Sequence, residues 1–203
     1  MSNPVESLSD SDERRLLEKT QAGDLSAFEP LVLRHQREIF AVALRMLGND
    51  EEAKDVAQET FVRAYRAIKS FRREARLSTW LVSITMNLCR NQRRWWARRH
   101  RVIVASLDEL TEPEEAEGLR KIQQVADPNP GPLQLVQSQE RQRYIAQALQ
   151  TLDETARGII VLRDIQGYSY EEIAQMLHTN VGTVKSRLSR ARLKLRALLD
   201  GKL

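Results

Sequence analysis

The chain has 203 residues, which allows one large or two small domains, and its 32 Lys and Arg against 28 Asp and Glu give a net charge of +4. One cysteine, Cys89, excludes an intrachain disulfide and a cysteine-based zinc site, and three scattered histidines offer no set for a catalytic or metal centre. No apolar run reaches the roughly 20 residues that span a bilayer. We therefore expect a cytoplasmic protein that is not an enzyme, with no cofactor, no metal and no membrane contact of its own.

Charge is distributed unevenly along the chain. Residues 63–101 contain 12 Lys or Arg and one acid, whereas residues 107–127 contain seven acids and two basic residues. Local basic surfaces of this kind suit phosphate groups, so the pattern favours a nucleic-acid partner.

Apolar residues recur every three or four positions and alternating β-branched runs are absent, which predicts an all-α protein. The first helix is predicted over Asp12–Gln21, and Gly23 ends it. A second helix is predicted over residues 24–47, with Pro30 in an early turn and Gly48 as the C-terminal stop.

Two further helices complete the first predicted domain, residues 12–100. Asn49 and Glu52 form a capping box that begins the third helix, and the fourth follows a loop near Phe71–Ser78. Cys89 lies among apolar residues of the fourth helix and is expected to be a small buried side chain.

Residues 101–134 interrupt the helical pattern. They are acidic and end in the proline-rich segment Asp127–Pro132, which is typical of a linker. Helical periodicity resumes in a second predicted domain, residues 135–203, with helices near 137–150 and 154–166. The fold class predicted is two small helical domains joined by a flexible acidic linker.

The most informative stretch is residues 169–196. Ser169 and Glu172 form a capping box, and a second helix starts after Thr179 or Asn180. A tight turn followed by an amphipathic basic helix is the helix-turn-helix arrangement, which places a recognition helix in the major groove. A merely solvated basic helix is the alternative. The outer face of the second helix carries Thr183, Lys185, Ser186, Arg187 and Arg190.

The fourth helix has a second, polar face beside aromatic residues, a combination that suits unstacked single-stranded bases. Core packing explains Trp80 equally well, and packing at the domain edge explains Trp95 and Trp96 better than base contact does. The polar face consists of Thr79, Ser83, Asn87, Arg90 and Arg94, and the preceding loop supplies Phe71, Arg72, Arg73 and Arg76.

Two motifs carry a resemblance to a known family. Residues 55–71 (DVAQETFVRAYRAIKSF), followed by Ser78-Thr-Trp-Leu81 and Asn87, resemble region 2 of bacterial sigma factors of the extracytoplasmic-function class. Residues 169–177 (SYEEIAQML) and 181–192 (VGTVKSRLSRAR) resemble the helix-turn-helix of their region 4. The two motifs occur in the correct order and the resemblance covers nearly the whole chain.

The resemblance implies a dissociable subunit that directs core RNA polymerase to promoter DNA and is controlled by an anti-sigma factor. Spacing alone indicates only a solvated patch at Asp55, Gln58 and Glu59, but these match positions that dock on the clamp helices of the largest core subunit. Region 4 is implied to contact the flap of the second-largest subunit. Residues matching the minus-thirty-five reader are Thr183, Lys185, Ser186, Arg187 and Arg190, and those matching the minus-ten reader are Phe71, Arg72, Arg76, Ser78, Thr79, Trp80, Asn87, Arg90 and Arg94.

Two positions depart from the family pattern. Lys185 stands where many relatives have arginine, and Ser189 where some have an aromatic residue. Because lysine cannot make the planar bidentate contact to guanine that arginine makes, the minus-thirty-five sequence stays open.

Two other functions remain as alternatives. An autonomous helix-turn-helix regulator would use residues 169–196 but leave the fourth helix and the acidic patch without a role, and it would be expected to dimerise. A decoy that binds only an anti-sigma protein would have no need for basic residues on both predicted DNA faces.

Overall fold

The computed structural model describes the backbone of residues 9–104 and 132–200, and within them the side chains of residues 9–92 and 141–200. These residues form the helical protein that the sequence predicts, and the described ranges contain eight α-helices. The helices are α1 (Asp10–Gln21), α2 (Phe28–Leu47), α3 (Asp50–Ala67), α4 (Leu77–Val104), α5 (Pro132–Gln150), α6 (Glu154–Ile160), α7 (Tyr170–Met176) and α8 (Val181–Leu199).

Local capping explains most helix boundaries. Gly48 has a φ of 79°, so the left-handed stop predicted for α2 is confirmed, and its amide donates to the carbonyl of Leu44. The Asn49 side chain accepts from the amide of Glu52 at 3.0 Å and so begins α3. Asp24 caps a separate 3-10 turn at Leu25–Ala27, so the predicted start of α2 at residue 24 is four residues early.

The ends of the predicted linker are helical. α4 begins at Leu77, inside the predicted loop, and continues to Val104, while α5 already begins at Pro132. Proline lacks an amide proton and is tolerated in the first turn of a helix, so Pro132 can begin α5. Residues 105–131 of the predicted linker lie outside the described residues.

Each domain has an apolar centre, and the two centres are continuous. In the first domain α2, α3 and α4 pack together around Ile39, Val42 and Leu81, and Cys89 is fully buried as predicted. In the second domain α6, α7 and α8 pack together. Its most buried side chains include Ile159, Ile160, Leu162, Ile173 and Val184, which belong to the same cluster as the core of the first domain.

A buried histidine joins α1 to α2. The Nε2 atom of His35 lies 3.1 Å from Glu13 Oε2, and its Nδ1 atom lies 3.9 Å from Glu38 Oε2. Burial opposes protonation of His35, but the two carboxylates outweigh it and the net pKa of His35 is raised. The hydrogen bond from His35 in turn lowers the pKa of Glu13.

We expect the free energy of unfolding to be larger at pH 6 than at pH 8. A histidine with a raised folded-state pKa contributes stability that is fully present below its unfolded value of about 6.5. That contribution is lost as pH rises through the folded-state value. Urea denaturation followed by circular dichroism should show that His35→Gln removes this pH dependence. The exposed His178→Asn variant should keep the parent profile, and a parent-like profile in His35→Gln would contradict the assignment.

Candidate nucleic-acid interface

Side-chain caps begin both helices of the predicted helix-turn-helix. The amide of Glu172 donates to Ser169 Oγ at 3.1 Å, and the amide of Ser169 donates to Glu172 Oε2 at 2.8 Å, so the predicted capping box is confirmed. Asn180 then accepts from the amide of Thr183 at 2.7 Å and begins α8. These caps define where α7 and α8 begin, on the two sides of a short turn, as in a helix-turn-helix.

The outer face of α8 is open to solvent. Val184 and Leu188 are buried on the inner face, whereas Thr183 is half-buried at the start of the helix. The remaining predicted minus-thirty-five residues, Lys185, Ser186, Arg187 and Arg190, are all exposed. Four exposed polar groups along one face of a helix can contact base edges and phosphates together.

Aromatic and ionic contacts connect α8 to the residues that precede it in the domain. Lys185 Nζ lies 5.3 Å from the centroid of the Tyr170 ring, and the Arg163 guanidinium lies 4.6 Å from the same centroid. Arg192 makes two hydrogen bonds to the carboxylate of Asp164, at 3.0 and 2.5 Å. The sequence reasoning did not find these contacts: Tyr170 lies within the helix-turn-helix motif, but Arg163 and Asp164 lie outside it, and spacing does not show which of them meet.

The loop before α4 is held against α1. The Gln21 amide nitrogen donates to the carbonyls of Ile68 and Phe71, each at 3.0 Å. Phe71 and Trp80 then pack against each other, with ring centroids 4.8 Å apart and planes at 30°. Both rings are half-buried against the core. Each therefore packs on the domain while keeping part of its surface in solvent.

The predicted minus-ten residues differ in accessibility. Arg72, Arg76 and Asn87 are exposed, and Ser78 is half-buried. Thr79 retains 4% of its surface, because its hydroxyl contacts Glu172 of α7. Arg90 is half-buried, and its Nε atom lies 3.3 Å from Glu154 of α6. The side chains of Arg94, Trp95 and Trp96 lie outside the described residues.

Glu172 is stabilised as a carboxylate in this position. Burial acts to raise its pKa, but hydrogen bonds from Ser169 and Thr79 and the charge of Arg76 outweigh burial and lower it. A full negative charge is therefore present beside α4.

The acidic patch on α3 borders an apolar groove. Asp55 and Gln58 are exposed, and Glu59 pairs with Arg63 at 2.6 Å. Gln58 also lines a groove of about 690 Å³ between α2 and α3. Its apolar lining includes Leu25, Phe28, Val32, Phe40, Ala57, Phe61 and Val62. Sequence reasoning missed this groove, although the 62% exposure of Leu25 indicates an apolar surface without an internal partner.

Two classes of site find no support among the described residues. No group of His, Cys, Asp and Glu in them could hold a metal ion. None of the described helices is long and apolar enough to span a membrane.

Comparison with known proteins identifies the family. The Sigma-70 region 2 family matches residues 31–100, and the Sigma-70 region 4 family matches residues 142–195. RNA polymerase sigma-H factor of Pseudomonas aeruginosa is 36% identical over 91% of this chain and 92% of its own. ECF RNA polymerase sigma-E factor of Escherichia coli K12 is 35% identical over 87% of this chain and 88% of its own.

Solved structures agree over both domains. The sigma factor RpoE of Bartonella quintana, in complex with the anti-sigma factor NepR, matches 88% of this chain and 100% of its own with a TM-score of 0.65 and 25% identity. CnrH in complex with the cytosolic domain of CnrY matches 95% of this chain and 99% of its own with a TM-score of 0.62 and 28% identity. The chain belongs to the sigma-70 family of RNA polymerase sigma factors, in the extracytoplasmic-function class.

Gln21→Ala should loosen the loop before α4. It leaves two carbonyls without their donor, and we expect the free energy of unfolding to fall by about 1–3 kcal/mol. Hydrogen exchange at residues 71–76 should accelerate, because Gln21 also accepts from Arg73 at 3.2 Å in that loop. Lys19→Ala, at an exposed position of the same helix, is the control. Unchanged exchange in the loop would show that Gln21 does not hold it.

Proposed function

We propose that this sigma factor reads the minus-thirty-five element with the exposed face of α8 and the minus-ten element with α4 and its preceding loop. The observation that carries the proposal is a polar and basic surface on each domain, exposed on α8 and partly exposed on α4 with its preceding loop. The proposed boundaries are residues 12–100 for region 2, residues 101–134 for the linker and residues 135–203 for region 4. In this proposal the acidic linker runs toward the active-site channel of the polymerase.

At the minus-thirty-five element, the proposed readers lie near the start of α8. Thr183, Lys185 and Ser186 occupy its first two turns, the part of a recognition helix that reaches base edges. Arg187 and Arg190 are long enough to contact the flanking phosphates. Lys185 supplies a flexible point charge, so its base preference is weaker than that of a bidentate arginine.

At the minus-ten element, the protein must hold a base that has left the stack. Unstacking costs a few kcal/mol, and aromatic stacking can offset about 1–3 kcal/mol per base. Phe71 and Trp80 offer partly exposed rings beside the basic loop, which contains Arg72 and Arg76. In this proposal the loop forms the base pocket, and Asn87 with Arg90 and Arg94 holds the displaced strand and its phosphates.

Core polymerase is the proposed partner of α3. The exposed Asp55 and the half-buried Glu59, beside an apolar groove, offer both steering charge and buried contact, as protein interfaces require. Asp55, Gln58 and Glu59 would dock on the clamp helices of the largest subunit, and region 4 on the flap of the second-largest. An anti-sigma partner is also proposed, since two structural relatives are anti-sigma complexes. A cytoplasmic location is proposed because core polymerase and promoter DNA, the proposed partners, are in the cytoplasm.

Run-off transcription with core polymerase on a genomic library tests this function and recovers the promoter. We expect the chain to bind duplex promoter DNA weakly alone and tightly with core, because each reading surface is small. Nanomolar footprinting by the isolated chain would favour the autonomous regulator instead.

Reversing Asp55 and Glu59 to lysine should weaken binding to core polymerase by roughly tenfold or more. Both side chains lie off the apolar stripe, so the melting temperature should change little. The matched control reverses Glu29 and Glu51, two exposed acids of the same domain. Fluorescence competition for core measures the affinities. If both double variants compete equally well for core polymerase, the docking assignment is wrong.

Asn87→Ala should change which minus-ten bases are tolerated, whereas Arg90→Gln should weaken binding uniformly and lower the salt slope by about 1. Both variants should still bind core and occupy the minus-thirty-five element. Asn91→Ala, one turn further from the loop, is the matched control. Permanganate reactivity of promoter thymines reports opening. If Asn87→Ala opens every promoter base variant as the parent does, Asn87 does not read the minus-ten element.

A further inference from the structure

The loop proposed to form the minus-ten base pocket is attached to the end of α1. Gln21 is the last residue of α1, and its Nε2 atom donates to the carbonyls of Ile68 and Phe71, each at 3.0 Å. Its Oε1 atom accepts from Arg73 Nη2 at 3.2 Å. One half-buried side chain therefore holds the loop both at Phe71, whose ring is proposed to receive the base, and at Arg73.

Arg73 makes a second contact with α1. Its Nη1 atom donates to Glu18 Oε1 at 2.9 Å. Glu18 precedes Gln21 by three residues, so both acceptors lie on one face of the helix. The backbone of Arg73 has a φ of 59°, in the left-handed region that arginine rarely adopts. The unusual conformation of the loop at this residue is thus accompanied by two side-chain contacts that hold it.

The helix α1 is itself fixed to α2, so it can support the loop. Arg34 Nε lies 2.9 Å from Glu13 Oε2, and Arg34 Nη2 lies 3.3 Å from Asp10 Oδ1. On the inner side of α1, Leu17 is buried in the core. The loop is therefore attached to a helix that is anchored along its length.

The three arginines of the loop differ in what their side chains contact. Within the described residues, neither Arg72 nor Arg76 makes a side-chain hydrogen bond or ion pair, whereas Arg73 makes two hydrogen bonds to α1. Arg72 also stands between Phe71 and Arg73, which are both held by Gln21. Its backbone is therefore fixed on each side, and its exposed guanidinium has less freedom to lose when it binds a phosphate.

We propose that the carboxyl-terminal end of α1 sets the base preference of the minus-ten reader. Gln21 and Glu18 are positioning residues, and Arg73 fixes the loop instead of contacting DNA. The ligand concerned is the displaced single strand of the promoter. This inference deepens the proposed role of the loop and rests on it.

The physical basis is the preorganisation of the pocket. Only loop conformations in which the Phe71 ring faces the unstacked base can capture it, so the apparent affinity falls with the fraction of such conformations. A loop without its attachment can also adapt to different bases, and adaptable surfaces discriminate poorly. Loss of the attachment therefore reduces base discrimination, while the distant surfaces on α3 and α8 keep their own contacts.

Gln21→Ala is the first test, made with full-length protein, core polymerase and templates that carry each of the four bases at every minus-ten position. We expect the ratio of open-complex formation between preferred and other bases to fall by roughly tenfold, the effect of losing one or two hydrogen bonds. Affinity for core polymerase and the minus-thirty-five footprint should stay as in the parent. A ratio is insensitive to a uniform loss of folded protein. Lys19→Ala, at an exposed position of α1, is the control, and a parent-like ratio in Gln21→Ala overturns the proposal.

Exchanging the charges of Glu18 and Arg73 tests whether Arg73 acts through α1. Arg73→Glu places two carboxylates together and should lower the base ratio by roughly threefold, since an exposed pair contributes modestly. Combining Arg73→Glu with Glu18→Arg restores an ion pair and should recover most of the loss. Lys19→Glu makes the same change in net charge as Arg73→Glu at an exposed position and should keep the parent ratio. If the exchange variant stays as poor as Arg73→Glu, Arg73 contacts DNA and its assigned role is wrong.

Phe71→Ala separates failure of this inference from failure of the proposed function. If Phe71→Ala loses base discrimination while Gln21→Ala and Arg73→Glu keep it, the loop reads the minus-ten element without help from α1, and this inference is overturned. If the parent shows no preference at any minus-ten base, or if Phe71→Ala keeps the parent preference, the proposed role of the loop itself is overturned.

Discussion

The carboxyl-terminal end of α2 constrains how the two halves of this sigma factor are arranged. The last carbonyls of a helix have no partner within it and carry partial negative charge. Here a buried guanidinium, Arg157, donates to Met46 and to the carbonyls of Leu149 and Leu152. One side chain therefore ties the turn between α5 and α6 to the end of a helix in the other domain. Separating the domains would require water to replace these donors.

The three proposed functional surfaces differ in how much of each the packing of the two domains leaves exposed. The outer face of α8 is exposed, and so are Asp55 and Gln58 of α3 beside the apolar groove. The face of α4 is partly covered, because Glu172 and Glu154 reach Thr79 and Arg90. A chain in this state presents its docking and minus-thirty-five surfaces while its minus-ten surface is restricted.

Sequence patterns were informative where the cause of a structure is local. The capping box at Ser169 and the left-handed stop at Gly48 depend on a few adjacent residues, and both are confirmed. The extension of α4 to Val104 was missed, because acidic composition and proline spacing do not mark the last helical turn. The interface between domains was also missed. Gln150 and Arg157 contact residues more than a hundred positions away, and a helical pattern carries no information about such partners.

The packing of α6 and α7 against α4 affects how the uneven charge of the chain is presented to solvent. Basic residues concentrate between residues 63 and 101. If all of them were exposed, they would attract any nucleic acid. Glu154 and Glu172 bring carboxylates of region 4 to Arg90 and Thr79, so two polar groups of α4 are already paired within the chain. Pairing of this kind lowers the attraction of that surface for phosphates in general, whereas the exposed Arg72 keeps its own.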